Sequence, residues 1–209
     1  MVFSVEVGEM IPENAHFYID EESLHGFLID PGAEADRLLK IIAKKKFVIE
    51  KILLTHGHFD HIGAVTEIQN KLKIPVFAHE NGKDYLFNPI ENLSLLTGEK
   101  EIKLGEVNFL SDGDIVSLEK NLDFSLKLIH TPGHTTDGAT YYSEKNNLAF
   151  VGDTIFKGGF GRTDFPGGNF ETLIQSIKQK IFALPDETIL YSGHGEVTSV
   201  GYEKKFFSL

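Results

Sequence analysis

The sequence predicts an α/β fold in which two sheets pack face to face and helices cover the outside. Three observations predict it. Short apolar runs of strand length recur along the whole chain. Helical stripes are interspersed among them, which favours sheets covered by helices over a bare sandwich. Four of the strand-like runs end in tight turns carrying metal-capable side chains, as expected if the sheets align and present those turns on one edge.

Taken in order, Val2 to Val7 alternates as a strand. Ala15 to Ile19 and Leu24 to Ile29 read as two more, joined by an acidic turn at Asp20 to Ser23. Asp30-Pro31-Gly32 leads into a helix striped by Ala35, Leu38, Leu39 and Ile42, and Lys44-Lys45-Lys46 suit its C-terminus. Lys51 to Leu54 is a buried strand; Val65, Ile68 and Leu72 mark the following helix; Pro75 to Ala78 is a short strand ending at His79. Residues 80 to 106, with Gly82, Asn88-Pro89 and Gly98, read as an insertion or lid-like segment. Val107 to Leu110 and Ile115 to Leu118 flank Ser111-Asp112-Gly113-Asp114 and predict a hairpin. A strand through Phe124, Leu126 and Leu128 runs to His134, and Ala139 to Tyr142 and Leu148 to Val151 read as paired strands. A glycine-rich loop, Lys157 to Gly168, precedes a helix capped by Asn169 and striped by Phe170, Leu173, Ile174, Ile177 and Ile181. Thr188 to Tyr191 reads as the last strand.

The bulk numbers set bounds. A chain of 209 residues suits one domain, 1–209, with no repeat or linker in it. Hydrophobic content of 41% and charged content of 24% are ordinary for a globular protein. No apolar run approaches the roughly 20 residues needed to span a bilayer. Met1 to Met10 carries two glutamates and no basic residue, unlike a signal peptide, so the expected location is cytoplasmic, without membrane association. With no cysteine, any metal must be held by His, Asp or Glu. A net charge of -11 argues against nucleic acid as a partner.

The densest chemistry lies in Thr55-His56-Gly57-His58-Phe59-Asp60-His61, on the loop between a strand and a helix. The alternation of His56, His58 and Asp60 aims three side chains the same way if the segment is extended, with Gly57 permitting a tight turn. The same grammar, buried strand then metal-capable turn, recurs at Ile129 to His134, Val151 to Asp153 and Tyr191 to His194. A glycine precedes each of His134, Asp153 and His194, allowing close backbone approach. Each residue alone has a bland reading as a cap or loop histidine. Together, His56, His58, His61, His134, His194, Asp60 and Asp153 are enough donors for two metal ions with an open position.

These motifs resemble the metallo-β-lactamase superfamily: His56-x-His58-x-Asp60-His61, Thr-Pro-Gly-His134-Thr, Gly-Asp153-Thr and Gly-His194-Gly. Their order and spacing resemble its glyoxalase II (hydroxyacylglutathione hydrolase) branch. The stretches Gly161 to Gly168 and Gly193 to Lys205 look like those of its short, single-domain bacterial members. The resemblance implies a four-layer αββα sandwich and two divalent metal ions, zinc in first place, with iron or manganese also suited to such donors. It implies that His56, His58 and His134 hold one ion, that Asp60, His61 and His194 hold the other, and that Asp153 and a hydroxide bridge them. The implied reaction is hydrolysis of a small-molecule thioester such as S-lactoylglutathione, the bridging hydroxide attacking the carbonyl and Asp60 accepting its proton. Arg162 is a candidate clamp for a substrate carboxylate, with an ion pair to Asp164 as the equal alternative; Lys157 is a weaker candidate. Asp30 and His79 are candidates for hydrogen bonding behind the ligands, as is His130, while His16 and His25 read as incidental. Full-length glyoxalase II carries a further helical domain after the last ligand, where this chain has residues 195 to 209, so the resemblance leaves glutathione specificity open.

The alternative within the superfamily is a persulfide dioxygenase using one iron held by two histidines and one aspartate. Its Gly-Arg-Thr-Asp-Phe stretch typically follows a cysteine, where this chain has Phe160. A β-lactamase fits less well: two subclasses require a cysteine ligand, and the all-histidine type lacks the bridging aspartate that Asp153 would supply. A nuclease would want a basic face, and a binding module would be expected to have lost ligands.

Overall fold

The structure is a computed structural model, described here for residues 1–97 and 101–207. The expected Gly98 of the insertion lies outside the described residues. In chain order the elements are β1 (Val2–Val7), β2 (Glu13–Ile19), β3 (His25–Ile29), α1 (Ala35–Lys45), β4 (Val48–Leu53), the single-turn α2 (Phe59–Ile62) and α3 (Val65–Leu72). Then come β5 (Val76–His79), α4 (Lys83–Leu86), β6 (Asn108–Leu110), β7 (Ile115–Ser117), β8 (Ser125–His130), β9 (Ala139–Ser143) and β10 (Leu148–Gly152). Last are β11 (Ile155–Phe156), β12 (Gly159–Phe160), α5 (Phe170–Ser176) continued by a π-helical turn, β13 (Ile189–Ser192), β14 (Thr198–Ser199) and α6 (Val200–Phe207).

Two six-stranded sheets form, ordered β1-β2-β3-β4-β5-β6 and β14-β13-β10-β9-β8-β7. Three apolar layers account for the stacking. Tyr18, Phe27, Ile29 and Leu53 of the first sheet meet Leu126, Leu128, Tyr141 and Phe150 of the second. The opposite face of the first sheet, with Phe17, Leu28 and Ile52, packs on Leu38 and Ile42 of α1 and Val65 and Ile68 of α3. The opposite face of the second, with Ala149, Val151 and Leu190, packs on Leu173, Ile177 and Ile181. Strands buried on both faces explain why these runs read as apolar rather than alternating. The predicted αββα sandwich is therefore the fold. No helix among the described residues is long and apolar enough to cross a membrane.

Strand direction places the chemistry. β3, β4, β5 and β6 run parallel to one another, as do β10 and β13. β8 runs the same way as β10, since each is antiparallel to β9. The ends of β3, β4, β8, β10 and β13 thus lead to Asp30, His56, His134, Asp153 and His194, in the crevice outside the carboxyl ends where open α/β sheets bind ligands. The two sheets are stitched there. Asn14 N–H donates to Gly193 O at 2.7 Å, and Ala139 N–H to Thr55 O at 2.7 Å.

Three local expectations are corrected. Ser111 to Asp114 does turn, its Asp114 N–H bonded to Ser111 O, but its flanking strands do not pair as a hairpin. β6 joins β5 in the first sheet and β7 joins β8 in the second, so the turn is the crossing from one sheet to the other. Thr188 to Tyr191 is not the last strand, because β14 follows. The glycine-rich loop is not wholly irregular, since β12 within it pairs with β11 just before it.

Candidate metal centre

β4 leads through a bend at Thr55 to His58, which is extended, and α2 then begins at Phe59. Asp60 and His61 therefore project from a helical turn, so the expected alternation through Asp60 does not hold. The break brings Asp60 and His61 together with His194, while the His61 ring still lies 4.1 Å from that of His56. Gly57 is not in the left-handed region; a Cβ there would collide with the Cβ of Tyr85 on α4. Its smallness serves packing rather than a turn.

The donors gather in two groups. His56, His58 and His134 form one, and Asp60, His61 and His194 the other. In the first, His56 Nε2 and His58 Nδ1 lie 3.2 Å apart, and His58 Nδ1 and His134 Nε2 lie 2.9 Å apart. Tetrahedral ligation at Zn–N distances near 2.05 Å puts neighbouring nitrogens about 3.3 Å apart, so the spacing suits a shared cation. In the second, His194 Nε2 is 3.4 Å from Asp60 Oδ2. Asp153 stands between the groups. Its Oδ2 is 3.6 Å from His134 Nε2 and 3.4 Å from His194 Nε2, and its Oδ1 is 3.4 Å from His61 Nε2.

Three of the other ring nitrogens are committed elsewhere. His134 Nδ1 meets Arg162 O at 2.7 Å, His194 Nδ1 meets Pro12 O at 2.6 Å, and His61 Nδ1 meets Asp30 Oδ2 at 3.0 Å. Each acceptor holds a proton on Nδ1, leaving the Nε2 lone pair for a cation. His61 Nε2 and Asp153 Oδ1 are buried without a hydrogen-bond partner. Such orphans are costly in a protein interior, and a cation between them would satisfy both. The donor set therefore fits two divalent ions.

Electrostatics separate the two groups. Burial, reinforced by its neighbouring histidines, lowers the pKa of His56 well below the usual value; burial and His134 bring that of His58 to about 3. Burial opposes charge on His194 too, but Asp153 and Asp60 outweigh it and raise its pKa to about 10. His61 is raised in the same way, against burial, chiefly by Asp153. Burial would raise Asp153, but His61 and His194 beside it hold its carboxyl well below the usual range. Without a cation, protons on His61 and His194 offset these carboxylates, so metal uptake at this half must release protons.

Of the supporting residues, Asp30 lies where expected. Its Oδ1 accepts from Thr55 N–H at 2.8 Å, and its Oδ2 meets the Thr55 hydroxyl at 2.5 Å as well as His61. His79 does not lie there. It stacks on His130 at 3.9 Å and 7°, and its Nδ1 accepts from Asn81 N–H, so neither ring reaches a ligand. Arg162 forks onto Asp164 at 2.6 Å through both Nε and Nη2 and lies 3.9 Å over the Phe165 ring, the ion-pair alternative. Lys157 pairs with Glu196 outside the cavity that the donors line. His16 is not idle: buried, it bridges Ser4 Oγ and Ser192 O, across the two sheets. His25 pairs with Glu50.

Sequence reading missed Glu13 and Asp137. Glu13 is buried 3.8 Å from His61 Nδ1 with both oxygens unpartnered, and burial raises its carboxyl well above the usual range. It begins an antiparallel strand instead of ending a parallel one, so it carries no strand-then-turn signal. Asp137 is buried close to Gly57 and Gly82, and burial raises its carboxyl to about 7; its only cue was proximity to His134. The 80 to 106 segment is more than a lid. Tyr85 backs Gly57, and buried Asn92 bonds Tyr85 O and Ile102 O through its amide while its own backbone carbonyl accepts from Phe59 N–H.

Comparison with known proteins agrees with this geometry. Residues 14–194 match the family described as the metallo-beta-lactamase superfamily. The chain is 40% identical to the probable metallo-hydrolase YqgX of Bacillus subtilis, over 91% of this chain and 88% of that one. It is 35% identical to hydroxyacylglutathione hydrolase GloC of Haemophilus influenzae, over 94% of each. The crystal structure of BLEG-1 B3 metallo-beta-lactamase superposes with a TM-score of 0.91 at 34% identity, covering 98% of this chain and 97% of that one.

Proposed function

The chain belongs to the metallo-beta-lactamase superfamily, and from that premise we propose that it is a binuclear metal-dependent hydrolase of thioesters. The observation that carries the reading is one carboxylate, Asp153, within 3.6 Å of the donor nitrogens of both ligand groups. Bound there, two divalent ions would supply Lewis acidity and lower the pKa of a water to near neutral. The chain's own residues do the rest. His56 and His58 keep unprotonated nitrogens facing the site because burial disfavours their charge, and His134 turns its Nε2 to the site with its Nδ1 engaged by Arg162 O. Asp60, held below the usual carboxylate range by His194 against burial, is the proton acceptor on the second group. The kinship with GloC supports a thioester as substrate.

Thiol release from acyl thioesters by metal-loaded protein, lost in Asp60→Ala and His134→Ala, tests the reading; no release across a thioester panel would sink it. Elemental analysis bears on the dioxygenase alternative, because two equivalents of metal count against it and one iron with persulfide-dependent oxygen uptake would favour it. The likeness to BLEG-1 puts a β-lactam in the same panel. Asp153, standing between the two donor groups where it would serve both ions, argues that the thioester is turned over faster.

A further inference from the structure

The cavity over the metal-capable residues has a volume of about 670 Å³, within the usual range for small-molecule sites. Apart from the donors themselves, its wall is mainly apolar. Met10, Ile11, Leu96, Phe156, Phe160 and Phe165 line it, from three separate stretches of chain. Met10 is 63% exposed, Leu96 71% and Phe160 36%. Isolated exposed apolar residues need no explanation, but a set converging on one cavity marks a binding surface.

The charges around it are already matched. Arg162 is the one lysine or arginine among the described residues of the lining, and the Nε–Nη2 edge of its guanidinium is taken by Asp164 and one face by Phe165. Lys157 is held by Glu196 outside the lining. A glutathione moiety brings two carboxylates, and burying a carboxylate without a partner is costly. A hydrocarbon arm meets no such cost here.

We infer that this cavity receives a thioester whose arms are uncharged and apolar, such as a medium-length acyl chain, in preference to a glutathione thioester. This rests on the thioester reading above and names its substrate class. Leu96 and Phe160 are the specificity-determining side chains: both are exposed, both line the cavity, and neither belongs to the ligand set.

Binding tests it separately from turnover. Calorimetric titration of metal-loaded protein would use three non-hydrolysable thioethers: S-methyl-N-acetylcysteamine, S-hexyl-N-acetylcysteamine and S-hexylglutathione. Affinity should rise about threefold per added methylene, giving at least about a hundredfold between methyl and hexyl, while the glutathione head adds nothing. Leu96→Asp and Phe160→Asp should each flatten the methyl-to-hexyl gain about tenfold and leave S-methyl binding unchanged. Equal affinity for methyl and hexyl, tighter binding of S-hexylglutathione, or an unchanged gain in both variants would overturn the inference. Thiol release from S-hexanoyl-N-acetylcysteamine is read in parallel. Tight hexyl binding without release would remove the hydrolase reading and keep the apolar pocket, whereas release with a preference for S-lactoylglutathione would do the reverse.

Discussion

Replacing Asp30 with asparagine changes one atom's chemistry with almost no change of shape, and the loss it causes can be worked from the geometry. Asp30 Oδ1 serves Thr55 N–H at 2.8 Å, and an asparagine carbonyl oxygen can keep that bond. The amide nitrogen then replaces Oδ2, facing His61 Nδ1 at 3.0 Å. Oδ2 is an acceptor that holds a proton on Nδ1; an amide N–H is a donor and needs Nδ1 bare. The imidazole must move its proton to Nε2, the nitrogen facing Asp153, and a protonated nitrogen cannot ligate. The expected loss is about 10- to 100-fold in affinity for the second ion, or about 1.4 to 2.8 kcal/mol. The first ion, held by His56, His58 and His134, should bind as before. Competition against a chromophoric chelator, read as two steps, measures both affinities. Asp30→Ala provides the contrast: it leaves the buried Thr55 N–H without an acceptor and should lower fold stability by about 1 to 3 kcal/mol, whereas Asp30→Asn should melt near the parent. If Asp30→Asn takes up both ions with parental affinity, the tautomer reasoning is wrong.

Other consequences are as concrete. In Gly193→Ala the new Cβ would lie 2.5 Å from both Asp153 Oδ1 and His61 Cε1; bound metal measured by elemental analysis should fall towards one equivalent, and two retained equivalents would refute the close-approach reading. Buried His16, depressed from 6.5 to about 4 by burial, stays neutral in the folded state while the unfolded chain takes up a proton below 6.5. Stability is therefore fully present above pH 6.5 and lost as pH falls towards 4, by about 3 kcal/mol; urea titrations of His16→Gln should show that much less acid sensitivity than the parent. Glu203 is buried and accepts from Gly158 N–H and the Thr198 hydroxyl, anchoring the β11–β12 hairpin to α6. Glu203→Ala should cost about 2 to 3 kcal/mol in urea unfolding, since two donors lose a charged acceptor, and a cost under a few tenths would show the anchor to be dispensable.

Much of this was legible in the sequence because the parallel strands obey one rule. His56, His134, Asp153 and His194 each follow an apolar run, and parallel strands put all such ends on one edge. What was not legible has local causes. Asp60 looked like part of an alternation because nothing in His58-Phe59-Asp60 announces that a helical turn starts at Phe59. Ser111 to Asp114 has the composition of a hairpin turn, and the same composition serves a crossing between sheets; only the distant partners, β5 and β8, tell them apart. Glu13 sits at the head of an antiparallel strand, where a carboxylate reads as a surface residue until the sheet is assembled around His61. His79 ends a parallel strand like the ligands, but β5 lies towards the edge of its sheet, beside β6 and away from the centre.

The crossing at Ser111 to Asp114 has a wider consequence. Every strand of the first sheet comes before it and every strand of the second after it. The molecule is thus two consecutive halves tied once by covalent chain, and each ligand group draws from both: His56 and His58 with His134, Asp60 and His61 with His194. Metal ions would tie the halves a second time, on the same edge of the sheets as the covalent crossing. Nicked at Gly113, the protein becomes a pair of fragments whose reassembly should depend on metal concentration, a two-part switch in which the ion is the signal.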